Sequence, residues 1–245
     1  MTITMSAGRS AGAERTFYLA VIAAMIGCVL LGFARSFFLR PLFPGFAAPP
    51  ETFFYVHGAV FVGWMALLAV QASLVAADNV AMHMRLGALA YGLVPLMIAI
   101  GVVGSFIAAR RPGGFFGVST PPLQFLTTTL GDIAMFAGFA IAALIRRRQP
   151  QTHKRLMLLT GIVMMEPTIG RWPFDVIVDW APAALVLKLV FLIPLALWDI
   201  ASLRRIHAVT LTGAFVLVSE GLLRDPLGAT PQWLAFARWA AGLFG

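Results

Sequence analysis

The chain has 245 residues, of which 60% are hydrophobic and only 11% are charged, and its formal net charge is +8. Soluble domains carry about 25% charged residues, so this composition excludes an ordinary soluble surface and indicates a protein embedded in a bilayer. The basic residues lie mainly in short segments between apolar runs, where they orient a chain in a membrane, so we predict no nucleic-acid partner. The single cysteine, Cys28, excludes an intramolecular disulfide.

The first apolar run follows a short, polar and basic N-terminal segment, residues 1–15. A secretory signal has an apolar core of roughly 7–15 residues and then a small-residue cleavage site. This run is longer and ends in "RSFFLRPLFP". We therefore predict that it is retained as the first membrane helix.

Apolar runs of about 20 residues, the length needed to span a bilayer, recur along the whole chain. We predict seven membrane helices, at about 16–36, 53–76, 86–109, 123–145, 154–170, 180–203 and 207–223. The fifth is short and contains Glu166 followed by Pro167, so we expect a kinked span or a re-entrant element. Pro95 and Pro194 are expected to bend the third and sixth helices. The sequence thus predicts an all-α, polytopic membrane bundle with a seven-helix transmembrane domain at 16–223.

The C-terminal segment, residues 224–245, contains "PQWLAFARWAAGLFG". At helical spacing, Trp233, Phe236 and Trp239 lie near one face, beside the lone Arg238. This pattern is typical of a short helix that lies in the membrane interface.

Lysine and arginine are distributed unevenly between the two sides of the predicted bundle. About ten lie on the side that carries the N-terminus and about six on the other side. This bias predicts a cytoplasmic N-terminus in a bacterial inner membrane, with the 77–85, 146–155 and 203–207 loops also cytoplasmic. The expected partner is the lipid bilayer, and a homo-oligomer or a membrane complex is compatible with the composition.

Three of the four histidines stand where an apolar segment begins, each near an arginine, in "HMRLG", "HKRLM" and "RRIHAV". Two imidazoles at matched depth on facing helices can hold a b-type haem, and His83 and His153 meet the depth condition. Arg85 and Arg155 beside them can receive haem propionates through charge-assisted hydrogen bonds. The alternative is that these residues anchor their helices at the headgroup layer.

The third of these histidines, His207, is a candidate ligand for another metal. Asp199 lies one or two helical turns away from it, and imidazole with carboxylate is a common ligand pair for transition metals. The anchoring alternative applies to this histidine as well.

Ionisable side chains inside the predicted spans form a second candidate group. His57, Glu166 and Lys188 lie in the outer half of the bundle, and Asp132 lies nearer its middle. Such residues are costly in a membrane and mark proton or ion pathways by default. A satisfied structural ion pair is the alternative, and we predict that Glu166 and Lys188 pair across the fifth and sixth spans.

The order "HGAVFVGWMALLAVQ", "HMRLG", Asp132 within a helix, "RRRQPQTHKRLMLL" and "IGRWP" resembles a group of small bacterial multi-pass membrane proteins. These are similar to a domain-of-unknown-function family of predicted membrane proteins that carries an HR-x-LG motif and a later HRRWM-like motif. The resemblance covers about residues 35–175, and Leu156 stands where the later motif has tryptophan. It implies membrane location and no particular activity.

The chain lacks a Gly-rich phosphate loop and the G-x-S-x-G, C-x-x-C and H-E-x-x-H motifs, so no enzyme class is assigned. Three functional hypotheses remain open. The first is a b-haem-binding or other redox membrane protein that uses His83 and His153. The second is a proton-coupled transporter or channel that uses Asp132, Glu166 and Lys188. The third is a non-catalytic scaffold or assembly partner.

Overall fold

The computed structural model describes residues 2–46, 51–115, 118–180 and 182–244, and every regular element within these ranges is a helix. The helices in chain order are α1 (Thr2–Phe33), α2 (Thr52–Ala76), α3 (Val80–Gly87), α4 (Ala90–Arg110), α5 (Pro122–Ile145), α6 (Pro150–Val163), α7 (Met165–Ile169), α8 (Asp175–Asp179), α9 (Ala183–Val190), α10 (Leu192–Leu203), α11 (Ala208–Gly228) and α12 (Pro231–Gly242). A π-helical turn, Ala34–Phe38, and a 3₁₀ turn, Arg40–Leu42, follow α1. Met1, Gly245 and the side chain of Arg9, which belong to the predicted terminal segments, lie outside the described part.

Five segments in the described ranges are long and apolar enough to cross a membrane. They are Gly12–Phe38, Thr52–Ala76, Val80–Arg110, Pro122–Ile145 and Ala183–Leu203. They coincide with the first four predicted spans and the sixth, so the all-helical architecture with membrane-length helices is confirmed. The fifth and seventh predicted spans are not among them, because α6 and α7 are short and α11 carries three charges near its end. The total of seven spans therefore remains a prediction.

Prolines explain where two of the apolar segments are interrupted. Pro167 has no N–H to donate to the carbonyl of Val163, and the helix breaks into α6 and α7 at Met164. Pro194 likewise has no N–H to donate to the carbonyl of Val190, and the helix breaks into α9 and α10 at Phe191. The predicted interruptions of the fifth and sixth spans are confirmed, whereas α4 runs unbroken through its own proline.

The α6–α7 segment forms the centre of the bundle. Leu159, Ile162, Met165 and Ile169 are fully buried, and the segment packs against α1, α5, α9 and α11. At Gly32, a Cβ atom would overlap the carbonyl oxygen of Thr168, so this glycine allows α1 to approach α7 at backbone distance. The fifth predicted span is short, but it is among the most enclosed parts of the molecule.

The three histidines of the sequence motifs lie at one end of the bundle, which we call the histidine end. Its loops are residues 77–79, 146–149 and 204–207. Arg15 forms an ion pair with Asp78, and Lys154 forms one with Glu14, so the middle of α1 is tied to the α2–α3 loop and to α6. Hydrogen bonds from Arg15 lower the pKa of the Asp78 carboxyl below its ordinary value.

At the opposite end, Arg111 donates to both carboxylate oxygens of Glu51, at 2.9 and 3.1 Å, and these bonds lower the pKa of Glu51. The helix α12 packs against α4 and α5 at this end, and Arg110 donates to the carbonyl of Ala241 at 2.8 Å. The side chain of Trp239 remains exposed. A C-terminal helix therefore forms, and its placement in a membrane interface stays a prediction.

Candidate functional site: a buried ionic cluster

Lys188 lies at the centre of a cluster of ionisable side chains from four helices. Its Nζ is 2.5 Å from Glu166 Oε2, 3.5 Å from Asp132 Oδ1 and 3.8 Å from Glu220 Oε2. The Lys188 side chain is fully buried. Because these partners come from α5, α7 and α11 and the lysine itself comes from α9, one ammonium group holds four helices together.

Arg224 is the second cation of the cluster. It donates to Glu166 Oε1 at 2.5 Å, and its other terminal nitrogen lies 3.8 Å from Glu220 Oε2. Glu220 and Arg224 are four residues apart on α11, so they occupy one face of that helix. We use the name ionic cluster for the five residues Asp132, Glu166, Lys188, Glu220 and Arg224.

The ionic cluster contains more negative groups than positive ones. Its three carboxylates face two cations, which leaves one formal negative charge in excess when all five are ionised. Within the described residues, the buried atoms of the cluster without a hydrogen bond are four carboxylate oxygens (Asp132 Oδ1, Glu166 Oε2 and both oxygens of Glu220) and three nitrogens (Lys188 Nζ, Arg224 Nε and Arg224 NH1). Buried acceptors without partners are costly, and an uncompensated buried charge is more so. The arrangement therefore favours an additional positive species, either a proton or a metal cation.

The carboxylates of Asp132, Glu166 and Glu220 are the residues that can hold a cation. One oxygen from each lies within 4.8 Å of the others, and oxygen ligands suit hard cations. The Nζ of Lys188 already stands among these oxygens, so an ion of higher charge would meet an ammonium group beside it. A proton fits this site better than a divalent cation does.

The backbone of α5 leaves room for the Glu220 side chain. At Gly131, a Cβ atom would lie 2.9 Å from Glu220 Oε1. That separation is too short for a carbon and a carboxylate oxygen, so glycine at this position lets α11 bring Glu220 beside Asp132.

The ionic cluster is not sealed. Exposed fractions of the side chains are 16% for Asp132, 11% for Glu220 and 12% for Arg224, whereas Lys188 has none. Asp132 lies ten residues into α5, which is about 15 Å from the opposite end of the bundle at 1.5 Å per residue. Lys188 is therefore the most enclosed member of the cluster, whereas parts of the Asp132, Glu220 and Arg224 side chains reach the surface of the bundle.

Part of this site is predictable from the sequence. The predicted pair of Glu166 and Lys188 is confirmed, and Asp132 joins it. Glu220 and Arg224 were missed, although their separation of four residues in an apolar helix is the signal that identifies such a pair. The pair is not apparent from the sequence because Arg224 lies just after the seventh predicted span, where it is taken as a loop residue.

His57, the other member of the predicted outer group, lies apart from the ionic cluster. Its ring stacks on Phe61 with centroids 4.2 Å apart, and none of the ion pairs between described residues includes it. Its Nδ1 is buried without a hydrogen-bond partner. The expectation that His57 shares a site with Glu166 and Lys188 is therefore wrong, because α2 faces α1 and α4 instead of α7 and α9.

At the histidine end, Arg155 and Asp199 form a fully buried ion pair. The Nε of Arg155 donates to Asp199 Oδ1 at 2.9 Å, and its NH1 donates to the backbone and side-chain oxygens of Gln151 at 2.8 and 2.7 Å. Asp199 Oδ2 accepts from the backbone N–H of His207 at 2.9 Å and from Thr210 Oγ1 at 2.5 Å. This network joins α6, α10 and the start of α11.

These contacts change two predicted roles. Arg155 neither extends to the headgroup layer nor is free for a haem propionate, because its buried guanidinium is held by Asp199 and Gln151. The metal hypothesis for Asp199 and His207 meets a similar obstacle. Both Asp199 oxygens already accept hydrogen bonds, and the Nδ1 of His207 accepts from Val209 N at 3.1 Å as the N-cap of α11.

His83 and His153 are both half-buried at the histidine end. The Nδ1 of His153 contacts the carbonyl of Ala143 at 2.9 Å, and that of His83 lies 3.4 Å from the backbone carbonyl of Gln71. Arg85 is exposed. The carbonyl of Ala143 on Nδ1 fixes the orientation of the His153 ring and leaves its Nε2 for another partner. The Nδ1 of His83 instead accepts from the side-chain amide of Gln71 at 2.6 Å, which puts the proton of the neutral ring on Nε2 and disfavours that nitrogen as a metal ligand.

Apolar helices of membrane length that enclose charged side chains define a multi-pass helical membrane protein. Comparison of the chain with protein-family models, with curated proteins and with solved structures found no match. The likeness to a family of predicted membrane proteins therefore remains a prediction that rests on the motifs alone.

Proposed function

We propose that this membrane protein binds and carries protons through the ionic cluster, as a proton-coupled transporter or a proton channel. The observation that supports this function is the unequal charge of the cluster, in which three carboxylates contact two cations. One proton removes the excess charge, and its release and rebinding couple the site to the pH on one side of the membrane.

The distances indicate which carboxyl groups hold the proton. Glu166 is 2.5 Å from both cations, so it is the group best stabilised as a carboxylate. Asp132 and Glu220 lie farther from the cations, at 3.5 and 3.8 Å, so their carboxylates are less well stabilised than that of Glu166. Like charges in contact share a proton, as in paired carboxylates of enzymes. The mobile proton therefore resides on Asp132 and Glu220.

Infrared difference spectra of the protein in lipid, recorded between alkaline and acidic pH, test proton binding. We expect a carbonyl band from a protonated carboxylic acid in an apolar setting, and Asp132→Asn and Glu220→Gln should each reduce it. Asp175→Asn is the matched control, because Asp175 is exposed on α8 and contributes to no cluster ion pair. An unchanged band in both cluster variants would show that the proton is elsewhere.

Proton movement is tested in liposomes that contain a pH-sensitive dye and carry an imposed membrane potential. Wild type and Asp175→Asn should acidify or alkalinise the lumen faster than empty liposomes, and Asp132→Asn and Glu220→Gln should abolish the difference. Equal rates for wild type and empty liposomes would overturn the carrier function even if proton binding is observed.

The haem hypothesis rests on a separate observation, the placement of His83 and His153 as half-buried side chains at the same end of the bundle, with the Nδ1 of His153 facing the carbonyl of Ala143. An absorption spectrum of the purified protein, with and without dithionite, tests it. A Soret band that His83→Ala and His153→Ala both remove supports haem, and a colourless protein contradicts it. If this test and the proton tests are both negative, the remaining hypothesis is a non-catalytic scaffold or assembly partner.

We also propose that the histidine end faces the cytoplasm of a bacterial cell and that α6–α7 and α11 complete seven spans. The excess of lysine and arginine on that side supports the orientation. The burial of α6–α7 among membrane-length helices supports its position within the bilayer.

A further inference from the structure

A groove of about 330 Å³ lies between α4 and α5 near the histidine end. Its floor and walls are apolar and include Pro95, Ile98, Ile141 and Ile145. Ile141 and Ile145 are 48% and 72% exposed, so the groove opens to the outside of the bundle. In a membrane, this surface faces lipid and not water.

The mouth of the groove is cationic. Arg147 lines it, beside Arg146 and Arg148, and all three side chains are exposed. No carboxylate in the described part of the chain forms an ion pair with any of them. The one hydrogen bond from Arg147 goes to the carbonyl of Leu144 at 3.4 Å. The guanidinium groups are therefore available to an anion from outside the chain.

The position of the arginines at the end of the apolar groove matches the shape of a phospholipid. The apolar segment Pro122–Ile145 ends two residues before Arg147, so the apolar groove ends where the arginines begin. In a phospholipid the apolar acyl chain leads to a charged phosphate, just as the apolar groove leads to the arginines. Arginine binds phosphate oxygens through two parallel hydrogen bonds, and clusters of basic residues beside a membrane helix attract anionic lipids.

We propose that this groove is a binding site for one anionic phospholipid, with an acyl chain between α4 and α5 and the phosphate on Arg147. The site is independent of the ionic cluster, which lies on the other face of α5. Tyr91 lines the same groove and is 54% exposed, so its hydroxyl stands at the apolar–polar boundary where tyrosine is favoured.

Native mass spectrometry of the purified protein tests the site, with phosphatidylglycerol and phosphatidylcholine titrated separately in one detergent. Wild type should retain one phosphatidylglycerol more tightly than phosphatidylcholine. Arg147→Ala should weaken phosphatidylglycerol binding about fivefold, the effect of one basic residue at a membrane surface, and leave phosphatidylcholine binding unchanged. Arg238→Ala, an exposed arginine on α12, is the matched control and should change neither.

A second variant separates the acyl-chain contact from the phosphate contact. Ile141→Trp fills the groove without altering the arginines, and because Ile141 is exposed it should leave the fold intact, as circular dichroism can verify. It should weaken the binding of both lipids. Equal affinity of wild type for the two lipids, no effect of Arg147→Ala, or no effect of Ile141→Trp would each overturn the proposal. Inorganic phosphate that binds as tightly as phosphatidylglycerol would also overturn it, because the acyl chain would then contribute nothing and the ligand would be a phosphate and not a lipid.

Discussion

The effect of replacing Glu166 or Lys188 depends on the charges of the other residues in the ionic cluster. Glu166 receives both cations of the ionic cluster at 2.5 Å, and Lys188 is the only ammonium among the three carboxylates in the described residues. Replacing the acid therefore lowers the excess negative charge, whereas replacing the lysine raises it. The two substitutions are unequal even though they break the same pair.

We predict that Lys188→Met costs about 3–5 kcal/mol of folding free energy, because it leaves buried carboxylates uncompensated. Glu166→Gln should cost clearly less, since two carboxylates then face two cations. The double variant should be more stable than the sum of the single changes implies. Size-exclusion chromatography after heating in detergent measures all four proteins, and strict additivity would show that the two side chains do not interact.

Glycines on α5 provide a second comparison at the residue scale. A Cβ at Gly131 would stand 2.9 Å from a carboxylate oxygen of Glu220, whereas a Cβ at Gly138 would meet nothing within 4 Å. We predict that Gly131→Ala destabilises the protein by about 1–3 kcal/mol through overpacking. Gly138→Ala is the matched control on the same helix and should be neutral or stabilising by about 0.5–1 kcal/mol. Equal melting temperatures of the two variants would contradict the close approach of Glu220.

At the scale of elements, the network around Asp199 connects three helices through one carboxylate. Arg155 comes from α6, Asp199 from α10, and Thr210 from α11. The carboxylate also fixes the loop before α11 by accepting from His207 N. The arrangement of α6, α10 and the start of α11 at this end thus depends on a fully buried ion pair that is separate from the ionic cluster.

We predict that Asp199→Asn destabilises the protein by about 3–5 kcal/mol, because it leaves the buried guanidinium of Arg155 unpaired. Thr210→Val, which removes one hydrogen bond to the same carboxylate, should cost only about 1 kcal/mol. Arg155→Met combined with Asp199→Leu should recover much of the loss. Thermal unfolding followed by tryptophan fluorescence measures these differences, and a mild effect of Asp199→Asn would contradict the buried pair.

The sequence predicts the features of these elements that depend on residues within one helix, and it does not predict those that depend on contacts between helices. Apolar length locates five membrane-length helices, and Pro167 and Pro194 locate two interruptions, because both signals act within one helix. The pairing of Arg155 with Asp199 depends on residues 44 positions apart. The motif that places Arg155 beside His153 predicts a surface role for it, and that role is reversed by its ion pair with Asp199 of α10 and by the packing of α6 against α11.

On the scale of the whole molecule, the two ends of the bundle differ in their ionic contacts. At the histidine end, Glu14 and Arg15 in the middle of α1 form ion pairs with Lys154 of α6 and with Asp78 of the α2–α3 loop. The opposite end holds the pair of Glu51 and Arg111 and the α12 helix. The predicted assignment of these loops to two sides agrees with the contacts, but which side is cytoplasmic depends on the charge bias alone.

We predict that reporter fusions in the 77–79, 146–149 and 204–207 loops behave as cytoplasmic, because lysine and arginine are concentrated there. Fusions after Arg111 and at the C-terminus should behave as periplasmic. Alkaline phosphatase and green fluorescent protein reporters give opposite signals at each position. A periplasmic signal from the 146–149 loop would contradict the orientation, and signals from one side on both flanks of α6–α7 would show that this segment does not span.

The distribution of the ionic cluster along the chain has a consequence for biosynthesis. Asp132 is made first, Glu166 and Lys188 follow, and Glu220 and Arg224 lie near the end of the chain. A ribosome therefore delivers α6–α7, with its buried acid, before the helix that supplies the second cation exists. We expect the early apolar helices to enter the translocon independently, and the last third of the protein to integrate as one unit once α11 has emerged.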